Sequence, residues 1–177
     1  MNTLSHTTIE TTLGPIELFG SDRGLRAALL PGERTGRLAA QDAATSSPGH
    51  PVLAQAAEEL RAYFAGELLE FGVALDLAGS PFQLAVWSEL TRIPFGETIS
   101  YGELARRVGD TANPRAVGSA NGRNTASIVV PCHRVIGSNG ALVGYAGGIE
   151  AKAALLRHER TVVEERGLAV GDLQLPV

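Results

Sequence analysis

The sequence predicts a two-part α+β protein. Three observations carry that expectation: strand-like alternation fills the first thirty or so residues, apolar residues recur at helical spacing through the second half, and Gly79-Ser80-Pro81 breaks the chain between them. The expected organisation is one domain over residues 1–79, a second over 80–162, and a weakly ordered tail over 163–177. With 177 residues, 44% hydrophobic and 19% charged, the chain can bury a core and lacks the composition of a disordered polymer. No run approaches the roughly 18 apolar residues of a membrane span. The first residues carry neither the basic start nor the apolar stretch of a secretory signal, so a cytoplasmic protein with no membrane partner is expected. The single cysteine, Cys132, excludes an internal disulfide and a multi-thiolate metal site.

In the first half, residues 8–12 alternate loosely, Gly14-Pro15 turns the chain, and residues 16–19 resume extended character. Residues 24–30 complete an expected antiparallel meander of three strands. Residues 32–49 turn small and polar, ending in Thr45-Ser46-Ser47-Pro48-Gly49, and read as a mobile loop. His50-Pro51 opens a helix whose Leu53, Ala56, Ala57, Leu60 and Phe64 share a face, and Gly66 stops it. Phe71, Val73, Leu75 and Leu77 then alternate as one further strand.

The second half begins with a helix at Ser80-Pro81, with Phe82, Val86 and Leu90 on one face. Ser100 can cap a short helix from Tyr101 to Val108, where Glu103 sits favourably in the first turn. A turn at 109–113 comes next, and Pro114 is placed to start a third helix ending near Asn121. Two short helices joined by a glycine-containing turn make a helix-turn-helix pattern. An extended apolar run, Ile128-Val129-Val130-Pro131, leads into Cys132-His133-Arg134-Val135. Beyond a glycine-rich loop at 137–148, a last helix carries Ile149, Ala153, Leu156 and then His158-Glu159.

Charge argues against a surface that grips nucleic acid everywhere: 15 Lys and Arg face 19 Asp and Glu, a net of −4 with pI near 5.6. Locally the balance inverts. Between residues 96 and 136, five arginines (106, 107, 115, 123 and 134) outweigh three acids (97, 103 and 110), giving +2. That predicts modest backbone contact with a shallow salt dependence.

Cys132 is the candidate nucleophile. Alone, it reads more readily as an inert buried thiol at the end of an apolar run. A thiol becomes reactive when a base takes its proton and positive charge stabilises the thiolate, and His133 and Arg134 come immediately after it. Neighbours on an extended strand point to opposite faces, so His133 reaches Cys132 only if the chain turns there or a water bridges them. Glu159 is available to orient the imidazole, although His158-Glu159 also reads as a solvated helix end.

These residues resemble the O6-alkylguanine-DNA alkyltransferase family, also known as the methylated-DNA–protein-cysteine methyltransferases. Pro131-Cys132-His133-Arg134-Val135 is similar to its active-site motif. Phe82-Gln83, Val86-Trp87, residues 93–98 and Ser100-Tyr101 match its helical lead-in. Arg115-Ala116-Val117-Gly118, Asn121-Gly122 and Asn124 match its recognition helix. Gly144-Tyr145-Ala146-Gly147-Gly148 and Leu155-Leu156-Arg157-His158-Glu159 match the family's segments after the cysteine motif. The blocks occur in order from Phe82 to Glu159, about half the chain.

The resemblance implies a ribonuclease-H-like first half and a helix-turn-helix, winged-helix-like second half. It implies DNA repair by single-turnover transfer of the alkyl group from O6-alkylguanine, with O4-alkylthymine as a second substrate, in double-stranded DNA to Cys132. By the same likeness His133 is the general base through a water, Glu159 polarises it, and Asn124 holds the active-site turn. Tyr101 donates to guanine N3. The carbonyls of Cys132 and Val135 accept from the exocyclic amine, and Tyr145, Ala146 and Gly147 close the pocket. Arg115 fills the gap left by a flipped base, and Ala116, Gly118, Ser119, Ala120 and Asn121 let the helix approach the minor groove. No metal or organic cofactor is implied, and the chain is expected to act as a monomer that can cluster on DNA. Two departures stand out: Thr125 replaces a frequent proline, loosening the turn, and Ala146 replaces a serine found in some members. The rival readings are a damage sensor that flips and holds bases, and a cysteine hydrolase.

Overall fold

The computed structural model describes residues 3–33, 38, 44–109 and 112–168. It divides into two compact units. One runs up to Ala78 and also takes Thr125–Val129, while the other comprises Gly79–Asn124 and the chain from Val130 onward. The segment at 125–129, expected in the second domain, is therefore part of the first unit.

In the first unit, strands β1 (Leu4–Thr11), β2 (Gly14–Ser21) and β3 (Gly24–Leu29) form the expected meander, and a short β4 (Ala44–Ser46) adds parallel to β1, for an order β3-β2-β1-β4. The β1–β2 turn is fixed by Thr11, whose Oγ1 donates to the Gly14 carbonyl at 2.8 Å and accepts from Leu13 N at 3.1 Å. Helix α1 (Pro51–Phe64) lays Leu53, Ala56, Ala57, Leu60 and Tyr63 into the core. Tyr63, not Phe64, is the fully buried aromatic of that helix. Within the stretch read as a mobile loop, β4 is a strand; residues 34–37 and 39–43 lie outside the described residues.

Every residue of β3 is buried, and its outer edge is shared by two other segments. The strand expected at 71–77 shrinks to a single parallel bridge, Leu25 to Leu75, with Leu25 N donating to Ala74 O at 2.7 Å and Asp76 N to Leu25 O at 2.9 Å. Close backbone contact makes this possible: a Cβ on Gly24 would lie 2.6 Å from the Ala74 carbonyl oxygen. Further along the same edge, Ala28 N donates to Thr125 O at 2.9 Å and Ser127 N to Ala28 O at 3.1 Å. Thr125 Oγ1 adds a bond to Arg26 O at 3.1 Å, and Ser127 Oγ one to the buried Glu33 carboxylate at 2.9 Å.

The second unit packs helices α2 (Pro81–Leu90), α3 (Tyr101–Val108), α4 (Pro114–Gly122) and α5 (Ile149–Glu165), with a two-stranded parallel pairing of β5 (Ile99–Ser100) and β6 (Val135–Ile136). A capping box starts α2, where Gln83 N donates to Ser80 Oγ and Ser80 N to Gln83 Oε1. Its buried face is Val86, Trp87 and Leu90; Phe82, expected there, is exposed. Ser100 caps α3 through Glu103 N at 3.1 Å, and Asn113 caps α4 through Ala116 N at 2.9 Å. Trp87 Nε1 donates to Ala120 O at 2.8 Å, fixing α4 against α2. Of the turn expected at 109–113, residues 110 and 111 lie outside the described residues. Helix α5 runs to Glu165, past the expected start of the tail at 163; residues 169–177 lie outside the described residues.

The extended run expected at 128–131 is instead a pair of tight turns. Val129 N donates to Ser127 O at 2.9 Å around Ile128, whose φ is +73°, a left-handed conformation that costs a β-branched residue about 1–3 kcal/mol. Cys132 N donates to Val130 O at 2.8 Å around Pro131, at φ −82° and ψ 62°, an inverse γ-turn. Both three-residue turns form where apolar composition alone reads as strand.

Candidate active site

The second tight turn hands the chain to a single 3-10 turn, Cys132–Arg134. That turn removes the alternation of an extended strand, so Cys132 and His133 are not forced to opposite faces. The thiol is 5% exposed. Asn124, just after α4, donates from Nδ2 to Val130 O at 2.9 Å and to Cys132 Sγ at 3.1 Å, so one amide holds both the turn and the sulfur.

His133 is fully buried and its Nε2 lies 2.7 Å from Glu159 Oε1. Nε2 is the donor, because the facing carboxylate only accepts. Its Nδ1 is buried without a hydrogen-bond partner and carries the free lone pair of a base. Glu159 is shared more widely. Arg134 donates to it from Nε at 2.9 Å and from Nη2 at 2.9 Å, and Gly96 N donates to Oε2 at 3.0 Å. Arg134 is itself anchored by Nη1 on Ile93 O at 2.6 Å and packs 5.6 Å from the Phe95 ring centre.

Burial alone would push the Glu159 carboxyl up, but His133 and Arg134 outweigh it and hold the group far below the usual carboxylate range. His133 goes the other way. Burial pushes its pKa down, Glu159 pulls it up only in part, and Arg134 and Lys152 push it down further. The site therefore holds a neutral imidazole beside an ionised carboxylate, the protonation states a general base requires.

Tyr101, half-buried at the start of α3, donates its hydroxyl to Val143 O at 3.1 Å. Burial and negative charge on Cys132 raise its pKa, with an Asn121 hydrogen bond as a smaller opposing effect, so the phenol stays a donor. The Val135 carbonyl accepts from Lys152 Nζ at 2.6 Å, and the Cys132 carbonyl from Asn121 Nδ2 at 3.4 Å and from Val135 N. Tyr145 is half-buried, and Ala146 and Gly147 form a turn beside it.

On α4, Arg115, Ser119 and Gly122 are exposed, as is Arg123 just after it, and Ala116 and Gly118 are half-exposed. Ala120 and Asn121, expected on the DNA-facing surface, are only 3% and 2% exposed. With Val117 they form the inward stripe of the helix, so Asn121 serves the cysteine turn rather than the outer face. The local +2 is also redistributed: Arg106 and Arg107 both pair with Glu103, and Arg134 is buried on Glu159. Among the described residues of 96–136, Arg115 and Arg123 are the exposed arginines outside those pairs.

Sequence reasoning missed Lys152, Gly96 and the inward role of Asn121. Lys152 carried a visible signal, being the only lysine in the chain. Among the described residues no cluster of three potential metal-ligating side chains occurs, and no helix is long and apolar enough to cross a membrane.

Comparison with known proteins places this arrangement. The model of the 6-O-methylguanine DNA methyltransferase DNA-binding domain matches residues 81–161, and that of the family's ribonuclease-like domain matches residues 4–77. The chain belongs to the 6-O-methylguanine DNA methyltransferase family. The methylated-DNA–protein-cysteine methyltransferase of Mycobacterium tuberculosis H37Rv is 45% identical over 159 residues, 89% of this chain and 93% of that relative. That of Methanosarcina acetivorans is 44% identical over 151 residues, 85% of this chain and 94% of the relative. The structure of M. tuberculosis OGT in complex with DNA superposes with a TM-score of 0.82 at 45% identity, covering 89% of this chain and 94% of that one. The mixed α+β fold and the enzymatic class thus agree with the family: a DNA-repair methyltransferase, not a hydrolase or a binding module alone.

Proposed function

We propose that this chain repairs O6-alkylguanine in duplex DNA by one transfer of the alkyl group to Cys132. The observation that carries this reading is the pair of arrangements on neighbouring residues: Asn124 donates to Cys132 Sγ, and the next residue, a neutral His133, offers a free Nδ1 while Nε2 is fixed on Glu159. A water between Sγ and Nδ1 passes the thiol proton to the imidazole, and Glu159 stabilises the imidazolium that forms. The thiolate attacks the alkyl carbon, an S–C bond forms as the C–O6 bond breaks, and guanine leaves with the bonding pair and recovers a proton.

Tyr101 leaves the Val143 carbonyl to donate to guanine N3, which eases departure of the base. The Val135 carbonyl, which accepts from Lys152, keeps a lone pair for the exocyclic amine, and the Cys132 carbonyl accepts from that amine by exchanging its long 3.4 Å bond from Asn121. The turn at Tyr145, Ala146 and Gly147 closes over the base. The outer face of α4 enters the minor groove, and exposed Arg115 occupies the gap left by the flipped nucleotide; flipping costs a few kcal/mol, less at a damaged pair. O4-alkylthymine presents the same alkyl–oxygen bond and is a second substrate.

The product is a thioether, which cellular thiols do not reduce, and no second cysteine can take the group onward. Each molecule therefore acts once. Cys132→Ala should abolish transfer and keep selective binding to a damaged duplex, measured by repair assay and fluorescence anisotropy side by side. Repair surviving in that variant would overturn the assignment.

A further inference from the structure

The chain contains fourteen arginines and one lysine, and that lysine, Lys152 on α5, is fully buried. Every other lysine-or-arginine position uses a guanidinium, so the one ammonium is the exception in this chain. Its Nζ donates to Val135 O at 2.6 Å and Val143 O at 2.9 Å, and lies 6.0 Å from the Tyr101 ring centre. Among the described residues no carboxylate stands within ion-pair distance of it. A buried cation without a counter-charge is costly.

The cysteine turn is the nearest structure that Lys152 holds: Val135, whose carbonyl accepts from Nζ, donates its own N–H to the Cys132 carbonyl and closes the turn that carries the sulfur. Arg134 (+1) and Glu159 (−1) cancel as a pair, His133 is neutral, and Tyr101 is a protonated phenol. Lys152 adds +1, so the buried set sums to +1 with a thiol and to zero with a thiolate. We propose that Lys152 is the counter-charge of the Cys132 thiolate, a positioning residue that favours the reactive form of the sulfur before transfer and loses its partner once the sulfur becomes a thioether. Burial pushes the lysine toward the neutral amine, and negative charge on Cys132 pulls it back, so the two groups act on each other. The transfer removes that charge for good: sulfur donates a pair to carbon, the C–O6 pair leaves with guanine, and a neutral thioether remains. The two carbonyls that Lys152 holds together, on either side of the 137–142 loop, are then gripped by a weakened charge.

This inference rests on Cys132 as the alkyl acceptor, and its test is chosen to stand apart from that reading. One lysine and one cysteine make both titrations readable without assignment. In protein carrying 13Cε-labelled lysine, the single ε-signal is titrated before and after capping Cys132 with methyl methanethiosulfonate, which needs no DNA. Capping should lower the Lys152 titration midpoint by about one unit or more; an unmoved midpoint would overturn the pairing. In parallel, the pH dependence of the capping rate is measured for Lys152→Met and Lys152→Arg. The Met variant should shift the profile upward by about one unit, about tenfold slower capping at neutral pH, with Arg returning it toward wild type. A folded Met variant with an unshifted profile would sink the proposal, and if Met does not fold the labelled wild-type titration decides alone. Failure of methylated DNA to modify Cys132 would strike the acceptor reading and leave this titration untouched.

Discussion

Each unit hangs a polar network on one carboxylate, and the two networks do different things. In the sheet unit, Asp76 accepts from Ser21 Oγ at 2.6 Å, Arg23 Nη2 at 2.8 Å and Arg26 Nη2 at 3.0 Å, tying the β2–β3 turn to the extended segment beside it. Its arginine partners span the surface: Arg23 is 72% exposed and Arg26 9%. In the helical unit, Glu159 is 1% exposed, takes up the buried Arg134 and the Gly96 amide, and still has an oxygen for His133. The first carboxylate fastens backbone. The second fastens backbone and holds a base in one tautomer, so the same residue chemistry serves stability in one unit and reactivity in the other.

Removing each carboxylate should break the comparison most sharply. Glu159→Ala leaves a buried arginine and a buried histidine unpaired and should cost about 3–5 kcal/mol. Asp76→Asn keeps a hydrogen-bonding group near partly solvated partners and should cost about 1 kcal/mol. Urea denaturation of both variants reads the pair; equal losses would mean the networks are equivalent.

Gly96→Ala sharpens the same point without touching a charge. A Cβ there would lie 2.6 Å from Val163 Cγ2, and the residue sits at φ +81°. We expect a loss of about 1–3 kcal/mol, together with slower methyl transfer because the amide that donates to Glu159 is displaced. A slower enzyme of unchanged stability would separate the positioning effect from the steric one, while an unchanged enzyme would refute both.

Part of this contrast is legible in the amino-acid sequence. The meander and α1 come from alternation and helical spacing, and the helix starts at Ser80 and Ser100 are local chemistry readable residue by residue. Cys132, His133 and Glu159 are legible through their motif, since nothing local brings residue 159 to residue 133. The misread segments share a cause: tertiary pairing overrides local pattern. The alternation at 71–77 predicts a strand, but β3 offers that segment one bridge and gives the rest of its edge to 125–127. The run at 128–131 is apolar because it is buried, and it bends into two γ-turns that composition does not encode. Lys152 reads as an ordinary helix cation until its burial is known.

pH separates the two carboxylates again. His133 binds its proton less readily when folded, so below about pH 6.5 the unfolded chain takes up the extra proton and stability falls as pH drops. Glu159 and Asp76 are both held below their ordinary values, so their contributions are complete above about pH 4.5 and fade as pH falls through the carboxylate range. Thermal melts should therefore show an early loss between about pH 6.5 and 5 that His133→Asn flattens, with the later loss retained. A wild-type profile flat down to pH 5 would contradict a neutral buried His133.

The smallest effect concerns DNA. With Arg106, Arg107 and Arg134 engaged internally, Arg115 and Arg123 are the exposed arginines left in the 96–136 stretch. With Arg115 in the base stack and Arg123 on a phosphate, the two charges displace at most about two counterions, a log–log salt slope no steeper than about −2, and Arg123→Gln should reduce it by about one. A slope near −7 would mean that a far larger basic surface touches DNA.

If the buried network of the helical unit exists to alkylate one sulfur once, the sulfur itself must carry the record. Peptide-mapped mass spectrometry after incubation with a duplex containing a single O6-methylguanine reads that record. We expect one added methylene on the peptide carrying Cys132, saturating at one per molecule and matched by restored guanine. An unmodified Cys132 in a protein that binds the lesion tightly, or more than one lesion repaired per molecule, would contradict it.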